Sequence, residues 1–344
     1  QHILLTDLTI DGQKRKVLMQ APKNGFFYVI DRETGKFISA NNYVAVTWAK
    51  GIDPETGRPI QTNNSYEKWP KVQYPSPLGG HNWMPMCLSR DTGYVYIPIQ
   101  EMAMLYDNDT EFEYIPGYWN TGMKVMKDVQ FPTWIDHDLV MVLGGKAAKG
   151  YLQAWDPVKQ REVWKIQHAG LWNGGLLCTG GNLVLQGNGK GYFVAYAADT
   201  GRKLWEFDAQ NGIIAPPITY EIDGEQYISL MVGWGGSVGL SFGAAGSPRG
   251  GMYPIGRILT FKLNGKESLP PGQIAPEAAP REGEPVIGKR LPNAFAGTEL
   301  DATLKALGRQ RLIVAGFMTH MCVSSTVRAA LDLGYRSTVV ARAA

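Results

Sequence analysis

One repeated phrase constrains the fold of this chain most: an apolar strand, a tight acidic turn and a second strand carrying an aromatic residue. It is clearest in residues 191–207 (GYFVAYAADTGRKLWEF). There Asp199 can bond the backbone two residues on, Gly201 suits a turn position with φ > 0, and Trp205 offers a flat packing surface. Related phrases occupy residues 152–164, 26–38 and 86–97. Strand–turn–strand units repeated in this way predict a β-propeller.

The alternative is an ordinary β-sandwich in which the turns recur by chance. Both the turn and the aromatic residue that follows it recur, and this favours the propeller. The 344 residues include 41 Gly and 21 Pro, a composition that indicates many turns and agrees with an all-β fold.

The charge and the cysteine content limit which classes of binding partner and which kind of disulfide-bonded fold the sequence supports. The net charge of +3 is scattered, with no basic block, so nucleic acid and membrane-surface partners are not indicated. No apolar run reaches the length of a membrane span. Cys87, Cys178 and Cys322 lie far apart without metal or haem spacing, and the odd count argues against a secreted disulfide framework. The sequence opens at Gln1 in what reads as a strand, with no signal peptide.

Short apolar strands alternate with Gly, Asp and Asn turns over residues 1–263, so the predicted propeller fragment takes in residues 1–268. The candidate strands are 16–20, 26–30, 94–98, 139–143, 183–186, 192–196, 227–232 and 257–263. Two long polar stretches rich in aromatic residues, 50–77 and 101–134, do not fit a blade. They predict ordered excursions over the faces of the propeller, a class of loop that is often functional.

A proline-rich linker, residues 269–285, ends the propeller pattern. Beyond it, residues 286–344 predict a helix with a capping-box-like start at Thr298 and an end at Gly308. A strand (311–316), a helix (322–333) and a strand (335–341) follow, a succession typical of a parallel α/β sheet. About sixty residues are too few to cover both faces of such a sheet, so this segment is expected to be a fragment.

Seven segments carry a family resemblance in the first part of the chain. They are 21–27 (APKNGFF), 31–36 (DRETGK), 80–86 (GHNWMPM), 154–158 (AWDPV), 172–175 (WNGG), 226–227 (QY) and 233–236 (GWGG). Residues 1–280 thereby resemble the C-terminal half of the eight-bladed propeller of pyrroloquinoline-quinone (PQQ) dependent alcohol dehydrogenases. The resemblance implies a mainly β chain: a partial eight-bladed-type propeller with about half the blades, followed by a small α/β (strand–helix–strand) segment.

The resemblance also implies an activity and cofactor-binding residues. In that family a primary alcohol is oxidised to an aldehyde, and PQQ accepts the hydride. Lys23 would lie on the quinone carbonyl oxygens, Asn82 and Trp83 in the cofactor pocket, and Trp234 and Gly235 at its edge. An ammonium beside a carbonyl stabilises developing negative charge, and glycine lets the backbone approach a planar ligand.

Taken one residue at a time, plainer readings of these positions stay open. Lys23 suits a solvated turn lysine, Asn82 a buried turn residue and Trp234 a further blade-packing aromatic. The combined motif string, rather than any one of the three residues, favours cofactor binding.

The same resemblance implies missing parts. The Ca²⁺ ligands and the catalytic Asp of the family fall before Gln1, and residues 1–280 contain no equivalent oxygen cluster that could hold Ca²⁺. Asp7 lies in a segment that resembles the family's sequence just after the catalytic Asp, so Asp7 is not assigned the role of the catalytic residue. There is no Cys-x-x-Cys-His haem segment. Half a propeller leaves two blade edges unpaired, so we expect a chain that is inactive alone, or one whose propeller a second chain completes.

The last part of the chain resembles a second family. Residues 286–289 (VIGK), 293–295 (NAF), 312–316 (LIVAG) and 319–323 (THMCV) resemble the isochorismatase-like cysteine hydrolases. That family uses an Asp–Lys–Cys triad, which implies Cys322 as nucleophile and Lys289 as the residue holding its charge, with a cis peptide near Phe317 and Met318. The triad Asp lies outside the matching segment.

Chemistry gives partial support to this assignment. A cysteine that opens a helix directly after a strand lies where the helix dipole and free N–H groups stabilise a thiolate. A buried structural cysteine is the alternative for Cys322. His320 is either a substitute base or an exposed loop histidine.

Three functions therefore compete: a PQQ-dependent alcohol oxidoreductase, a cysteine hydrolase acting through Cys322 and Lys289, and a non-catalytic chimeric product. The first family works in the periplasm and the second in the cytoplasm, and we expect a periplasmic location from residues 1–280.

Overall fold

The computed structural model describes residues 1–64, 66, 70–116, 120–124, 148–234, 256–269, 282–289, 291, 293–314 and 322–339. The chain divides into two compact units, Gln1–Glu267 and Ser268–Ala344. They are called unit 1 and unit 2 below, and each is described by itself.

Unit 1 contains four antiparallel sheets whose strands follow one another along the chain. Sheet 1 has β1 (Leu4–Ile10), β2 (Gln13–Gln20), β3 (Phe26–Asp31) and β4 (Phe37–Asn42). Sheet 2 has β8 (Cys87–Leu88), β9 (Val95–Glu101), β11 (Lys149–Asp156) and β12 (Arg161–His168). Sheet 3 has β13 (Leu176–Thr179), β14 (Leu183–Gly187), β15 (Tyr192–Ala197) and β16 (Lys203–Asp208). Sheet 4 has β17 (Ile218–Ile222), β18 (Glu225–Val232) and β19 (Arg257–Lys262).

The sheets stack face to face in sequence order. Val17 and Met19 of sheet 1 share a core with Ile97 of sheet 2. The opposite face of sheet 2 packs on sheet 3 through a second core, and sheet 3 packs on sheet 4 through a third. Each middle sheet is therefore covered on both faces, which is the arrangement of successive propeller blades. The mainly β, partial propeller predicted from the repeated phrase is confirmed.

The turns of the repeated phrase form by the predicted chemistry. The carboxylates of Asp31 and Asp156 each accept hydrogen bonds from backbone N–H groups two and three residues on. At Asp199 the hydroxyl of Thr200 donates to the carboxylate at 3.2 Å, and Gly201 has φ +71°. Backbone hydrogen bonds to Thr34 hold the pKa of Asp31 below its usual range.

Two of the aromatic residues that follow these turns, Trp164 and Trp205, contact the next sheet, as predicted for Trp205. The Nε1 of Trp164 in sheet 2 donates to the backbone oxygen of Ala198, which directly follows β15 of sheet 3, at 3.1 Å. Trp205 of sheet 3 lies edge-to-face against Phe261 of sheet 4, with ring centroids 5.6 Å apart. The recurring tryptophan is therefore an inter-sheet contact, and this explains why it repeats with the turn.

The two predicted excursions contain small sheets of their own. β5 (Ala49–Ile52) pairs with β6 (Pro59–Gln61), and β7 (Lys71–Gln73) pairs with β10 (Met104–Tyr106), both antiparallel. The candidate strand 139–143 and the end of the second excursion lie outside the described residues.

Unit 2 contains α1 (Leu300–Ala306), β20 (Arg311–Val314), α2 (Ser324–Asp332) and β21 (Arg336–Val339). β20 and β21 pair in parallel, which confirms the predicted strand–helix–strand succession. The predicted start of α1 was one residue early: the N-cap is Glu299, and the hydroxyl of Thr298 accepts from the N–H of Leu300 at 3.3 Å and donates to the oxygen of Ala294. Neither helix is long enough to cross a bilayer, and no other described helix qualifies as a span.

Candidate functional site

A single segment of unit 1, residues 77–84, lies at the centre of the candidate site. Lys23 contacts its beginning: the Nζ of Lys23 donates to the oxygen of Pro77 at 3.1 Å, and the N–H of Gly80 donates to the oxygen of Lys23 at 3.2 Å. A Cβ at Gly79 would lie 2.7 Å from the Cα of Lys23. Only glycine permits this approach, so the Gly-Gly pair ahead of His81 is what brings the lysine onto the segment.

His81 fixes the same segment from inside the protein. Its ring is fully buried, with Nδ1 2.7 Å from the oxygen of Ala21 and Nε2 2.6 Å from the oxygen of Met84. Burial lowers the pKa of His81, while the two backbone oxygens act in the opposite direction. The histidine thereby ties the end of β2 to the turn that follows it and holds Asn82 and Trp83 between two fixed points.

Asn82 and Trp83 occupy the turn itself. The Nδ2 of Asn82 donates to the oxygen of Leu78 at 2.8 Å, which closes the turn and leaves the side-chain oxygen of Asn82 as an acceptor. Trp83 is 43% exposed, an unusual state for the largest apolar side chain. Its ring is available to a planar partner.

Trp234 reaches the segment through an aromatic cluster. It is 8% exposed and packs with Met84, Trp172 and Ile214, with Leu78 at the border. The Nε1 atoms of Trp172 and Trp234 are buried and have no hydrogen-bond partner among the described residues. A buried N–H without a partner costs free energy, so two of them in one cluster are unusual and mark this part of unit 1 as a place to look for function.

The structure thus gathers Lys23, Asn82, Trp83 and Trp234 around residues 77–84. Gly235 lies outside the described residues. His81 and Trp172 had no role predicted from the sequence, although both lie inside the motifs that carry the resemblance. The signal for Trp172 was its place in Trp-Asn-Gly-Gly beside two glycines, and the signal for His81 was its position between Gly80 and Asn82.

A pocket of about 430 Å³ begins directly after this segment, at Pro85 and Met86. It is lined by residues at the first strands of three successive sheets, β1, β8 and β13, and by Arg90. A disulfide between Cys87 on β8 and Cys178 on β13 lies in its wall. The expectation drawn from the odd cysteine count was therefore wrong: two cysteines pair across neighbouring sheets, and Cys322 is the free thiol.

Comparison with known proteins defines the family. Residues 56–228 match the family model of the glucose/ethanol/alcohol dehydrogenase β-propeller domain that carries the name PQQ. The chain belongs to this family.

Individual relatives agree with that assignment. The PQQ-family chain is 45% identical over 287 residues to the quinohemoprotein alcohol dehydrogenase ADH IIB of Pseudomonas putida, covering 83% of this chain and 40% of the relative. It is 46% identical over 277 residues to the dehydrogenase subunit of the alcohol dehydrogenase (quinone) of Komagataeibacter europaeus, covering 79% of this chain and 37% of that subunit.

A solved structure, the quinohemoprotein alcohol dehydrogenase ADHIIG of Pseudomonas putida, superposes with a TM-score of 0.72 at 42% identity, covering 88% of this chain and 43% of that one. The PQQ-family chain therefore spans about two fifths of the length of these relatives.

Unit 2 holds the second set of predicted site residues. Cys322 is half-buried in the helical turn that leads into α2. Lys289 is exposed, and its Nζ donates to the oxygen of Leu291 at 3.0 Å. His320 and the predicted cis peptide near Phe317 and Met318 lie outside the described residues. Residues 261–344 of the PQQ-family chain match the isochorismatase domain, so the chain joins parts of two families, as predicted.

Proposed function

We propose that unit 1 forms one wall of a PQQ site for the oxidation of primary alcohols to aldehydes. The observation that carries the proposal is that Lys23 and Trp234 contact residues 77–84, the segment that contains Asn82 and Trp83. When bound, PQQ supplies the hydride acceptor of the reaction. The residues of this chain supply its binding and orientation.

The donors and rings present fit such a ligand. Lys23 carries three N–H donors, one of which goes to Pro77, so the same ammonium can also donate to a ligand oxygen and stabilise negative charge on it. Trp172 and Trp234 form an apolar wall behind the segment, with their indole N–H groups buried inside it. The half-exposed ring of Trp83 offers a face on which a planar molecule can stack.

Calcium fits the described residues less well. They contain no group of three or more His, Cys, Asp or Glu side chains placed to hold a metal ion, and Ca²⁺ prefers six to eight oxygen ligands. We therefore assign no calcium site to the described residues. The calcium ligands and the proton acceptor of the reaction would come from parts of the propeller outside the described residues.

The disulfide favours a periplasmic location for this function. Disulfides persist in oxidising compartments such as the periplasm and are rare in the cytosol. Cys87 and Cys178 pair across two sheets of unit 1, so of the two compartments implied by the two families, the one belonging to the propeller suits this chain.

Titration with PQQ, followed by quenching of tryptophan fluorescence, tests the proposal. Lys23→Ala is expected to weaken binding about tenfold to a hundredfold, because it removes a charge-assisted hydrogen bond. Lys36→Ala, at an exposed lysine in the turn after β3, is the matched control and should bind as the unaltered chain does. Equal affinity of the two variants would contradict the assignment of Lys23. Steady dye reduction with ethanol by residues 1–344, with PQQ and Ca²⁺ added, would contradict the placement of the calcium ligands outside the described residues.

A second candidate function rests on unit 2. The position of the free thiol of Cys322 at the start of a helical turn, within a segment that matches the isochorismatase domain, favours thiol-dependent hydrolysis with Lys289 as its partner. Since Cys87 and Cys178 are paired, iodoacetamide should label Cys322 alone in the native chain. Labelling no faster than that of free glutathione would remove this candidate.

A further inference from the structure

Polar side chains close one end of the core between sheets 2 and 3. Leu152 of β11 and Val184 of β14 belong to the apolar part of this core. Alternate residues of a strand point to the same face, so Gly150 and Gln186, each two residues away along these strands, face the same space. His168 of β12 stands opposite Gly150. We call the buried polar residues at this end the polar layer: His168, Asn173 and Gln186, which are 8%, 3% and 1% exposed.

The hydrogen bonds of the polar layer run in one direction. The Nε2 of Gln186 donates to the backbone oxygen of Gly174 at 2.9 Å, so the amide oxygen of Gln186 is the end that faces His168. The Nε2 of His168 lies 2.9 Å from that oxygen, and it must carry the hydrogen because an amide oxygen only accepts. Two hydrogen bonds therefore connect His168 to the backbone of Gly174 through Gln186.

The loop that joins β12 to β13, residues 169–175, fills the space over Gly150. A Cβ at Gly150 would lie 2.2 Å from the backbone oxygen of Gly170 and 2.5 Å from the Nδ2 of Asn173. That nitrogen donates to the oxygen of Gly170 at 3.0 Å, and the Oδ1 of Asn173 accepts from the N–H of Gly189 at 3.2 Å. The loop is therefore fixed by contacts with sheet 2 on one side and with sheet 3 on the other.

Trp172 lies in the middle of this loop. Its ring is 2% exposed and packs with Met84, Ile214 and Trp234. Met84 is the last residue of the segment 77–84, so the ring of Trp172 supports that segment from behind. Three of the seven loop residues are glycine, the residue that restricts the backbone least. The position of the ring therefore depends on the bonds that the polar layer makes to the loop.

We propose that His168 and Gln186 are positioning residues for the PQQ site. Through their bond to Gly174 they hold the ring of Trp172 in place, and this ring fixes the wall behind residues 77–84. This role rests on the proposed function and adds to it two residues that set the affinity for PQQ from within the interface of sheets 2 and 3. The alternative is that the pair contributes to the stability of the stack alone.

Titration of the full chain with PQQ, followed by quenching of tryptophan fluorescence, separates these two roles. His168→Leu removes the donor to Gln186 and should weaken PQQ binding about threefold to tenfold, the effect of one hydrogen bond on an equilibrium. His168→Gln should restore the affinity, because its amide nitrogen can donate to the same oxygen.

Gln153→Leu is the matched control. Gln153 is also a buried polar residue of sheet 2, 1% exposed, and its Nε2 donates to Glu162 at 2.8 Å. Its neighbours Tyr151 and Trp155 pack in the core shared with sheet 1, so its side chain lies on the face away from the polar layer. Gln153→Leu should lower the urea midpoint and leave the affinity for PQQ unchanged. A loss of affinity equal to that of His168→Leu would overturn the positioning role.

A double-mutant cycle with Trp172→Phe tests the route. Because His168 acts through the ring of Trp172, His168→Leu should cost less than about twofold further affinity in the Trp172→Phe chain. The same loss in both backgrounds overturns the positioning role, and so does an unchanged affinity of the His168→Leu chain. Far-UV circular dichroism checks that each variant is folded. Gln186→Met, which keeps the length of the side chain and removes its amide, replaces His168→Leu if that variant does not fold.

Failure of the positioning role and failure of the proposed function are distinguishable. If Lys23→Ala weakens PQQ binding and His168→Leu does not, the positioning role alone is wrong. If His168→Leu weakens binding and Lys23→Ala does not, the assignment of Lys23 is wrong and the positioning role is supported. An unaltered chain that does not bind PQQ would overturn the proposed function and the positioning role together.

Discussion

Units 1 and 2 bury their apolar side chains to very different extents. Unit 1 has three successive inter-sheet cores in which side chains such as Val17, Leu152 and Phe193 are almost completely buried. In the described part of unit 2 the buried apolar side chains are Val323, Ala330 and Tyr335. In unit 1 each further sheet covers the face of the one before it, and a core accumulates with length.

Unit 2 has no such accumulation. Its parallel pair, β20 and β21, needs covering layers on both faces, yet Ile313 of β20 is 80% exposed and Leu331 of α2 is 72% exposed. Tyr335 provides its main contact, stacking on Phe295 and donating a hydrogen bond to Asp301 at 2.7 Å. A repeated antiparallel unit can therefore be cut between repeats and keep its core, whereas a piece of a parallel α/β sheet cannot.

Removing the disulfide should give the largest difference in thermal stability between the two units. Cys87 and Cys178 are 91 residues apart in the sequence, and closing a loop of that length stabilises the fold by about 4.5 kcal/mol. The double variant Cys87→Ala/Cys178→Ala should lower the melting temperature of unit 1 by about 10 °C.

All ten tryptophans lie in residues 48–234, so tryptophan fluorescence reports the melting of unit 1 alone. Cys322→Ala removes the free thiol of unit 2 and should leave that melting temperature unchanged. If the melting temperature of the double variant changed no more than that of Cys322→Ala, the disulfide would not stabilise the stack.

Truncating one apolar side chain in each unit should also distinguish the two units, because the expected losses of stability differ. Phe193 is 1% exposed and contacts Trp205 and Phe261, so Phe193→Ala should cost about 3–5 kcal/mol. Leu331→Ala in unit 2 should change stability by no more than about 0.5 kcal/mol, because the side chain is already in solvent. Urea unfolding followed by tryptophan fluorescence and by far-UV circular dichroism measures both. A large loss for Leu331→Ala would mean that this face of α2 is covered in solution.

Acidification should cause the smallest loss of stability, and this loss should occur in unit 1. Burial lowers the pKa of both His81 and His168, so the unfolded chain binds more protons than the folded one below pH ~6.5. The stability that the neutral histidines contribute is present above pH ~6.5 and is lost as the pH falls toward ~5.

The urea midpoint reported by tryptophan fluorescence is the measurement. His168 contacts the Oε1 of Gln186 at 2.9 Å, and His168→Gln, which cannot titrate, should flatten this pH dependence. A midpoint that stays constant between pH ~7 and ~5 in the unaltered chain would contradict the assigned direction of the pKa shifts.

Local chemistry explains which features the sequence revealed. The acidic turns of the repeated phrase, the strands around them and the packing of Trp164 and Trp205 on the next sheet depend on residues close together in the chain. The parallel pair of unit 2 followed from its strand–helix–strand order. For the site, the quoted motifs singled out Lys23, Asn82, Trp83 and Trp234, and the structure brings Lys23 and Trp234 into contact with the segment that contains the other two. Their role in binding a cofactor stays a prediction.

The features that the sequence missed depend on long-range contacts. Pairing of Cys87 with Cys178 requires that β8 and β13 lie side by side, and no local pattern states this. The burial of His81 between Ala21 and Met84 depends likewise on a contact 60 residues away in the chain. The unpartnered N–H groups of Trp172 and Trp234 became visible only when their cluster was assembled.

The strict sequence order of the four sheets has a consequence for biosynthesis. Because each sheet is a contiguous stretch of chain and packs on the one made just before it, a sheet leaving the ribosome meets a finished surface rather than one still to be translated. Most of the tertiary contacts of unit 1 can therefore form during synthesis, from the amino terminus onward. The bond between the two sulfur atoms, which needs an oxidising environment, would then lock the second and third sheets together last.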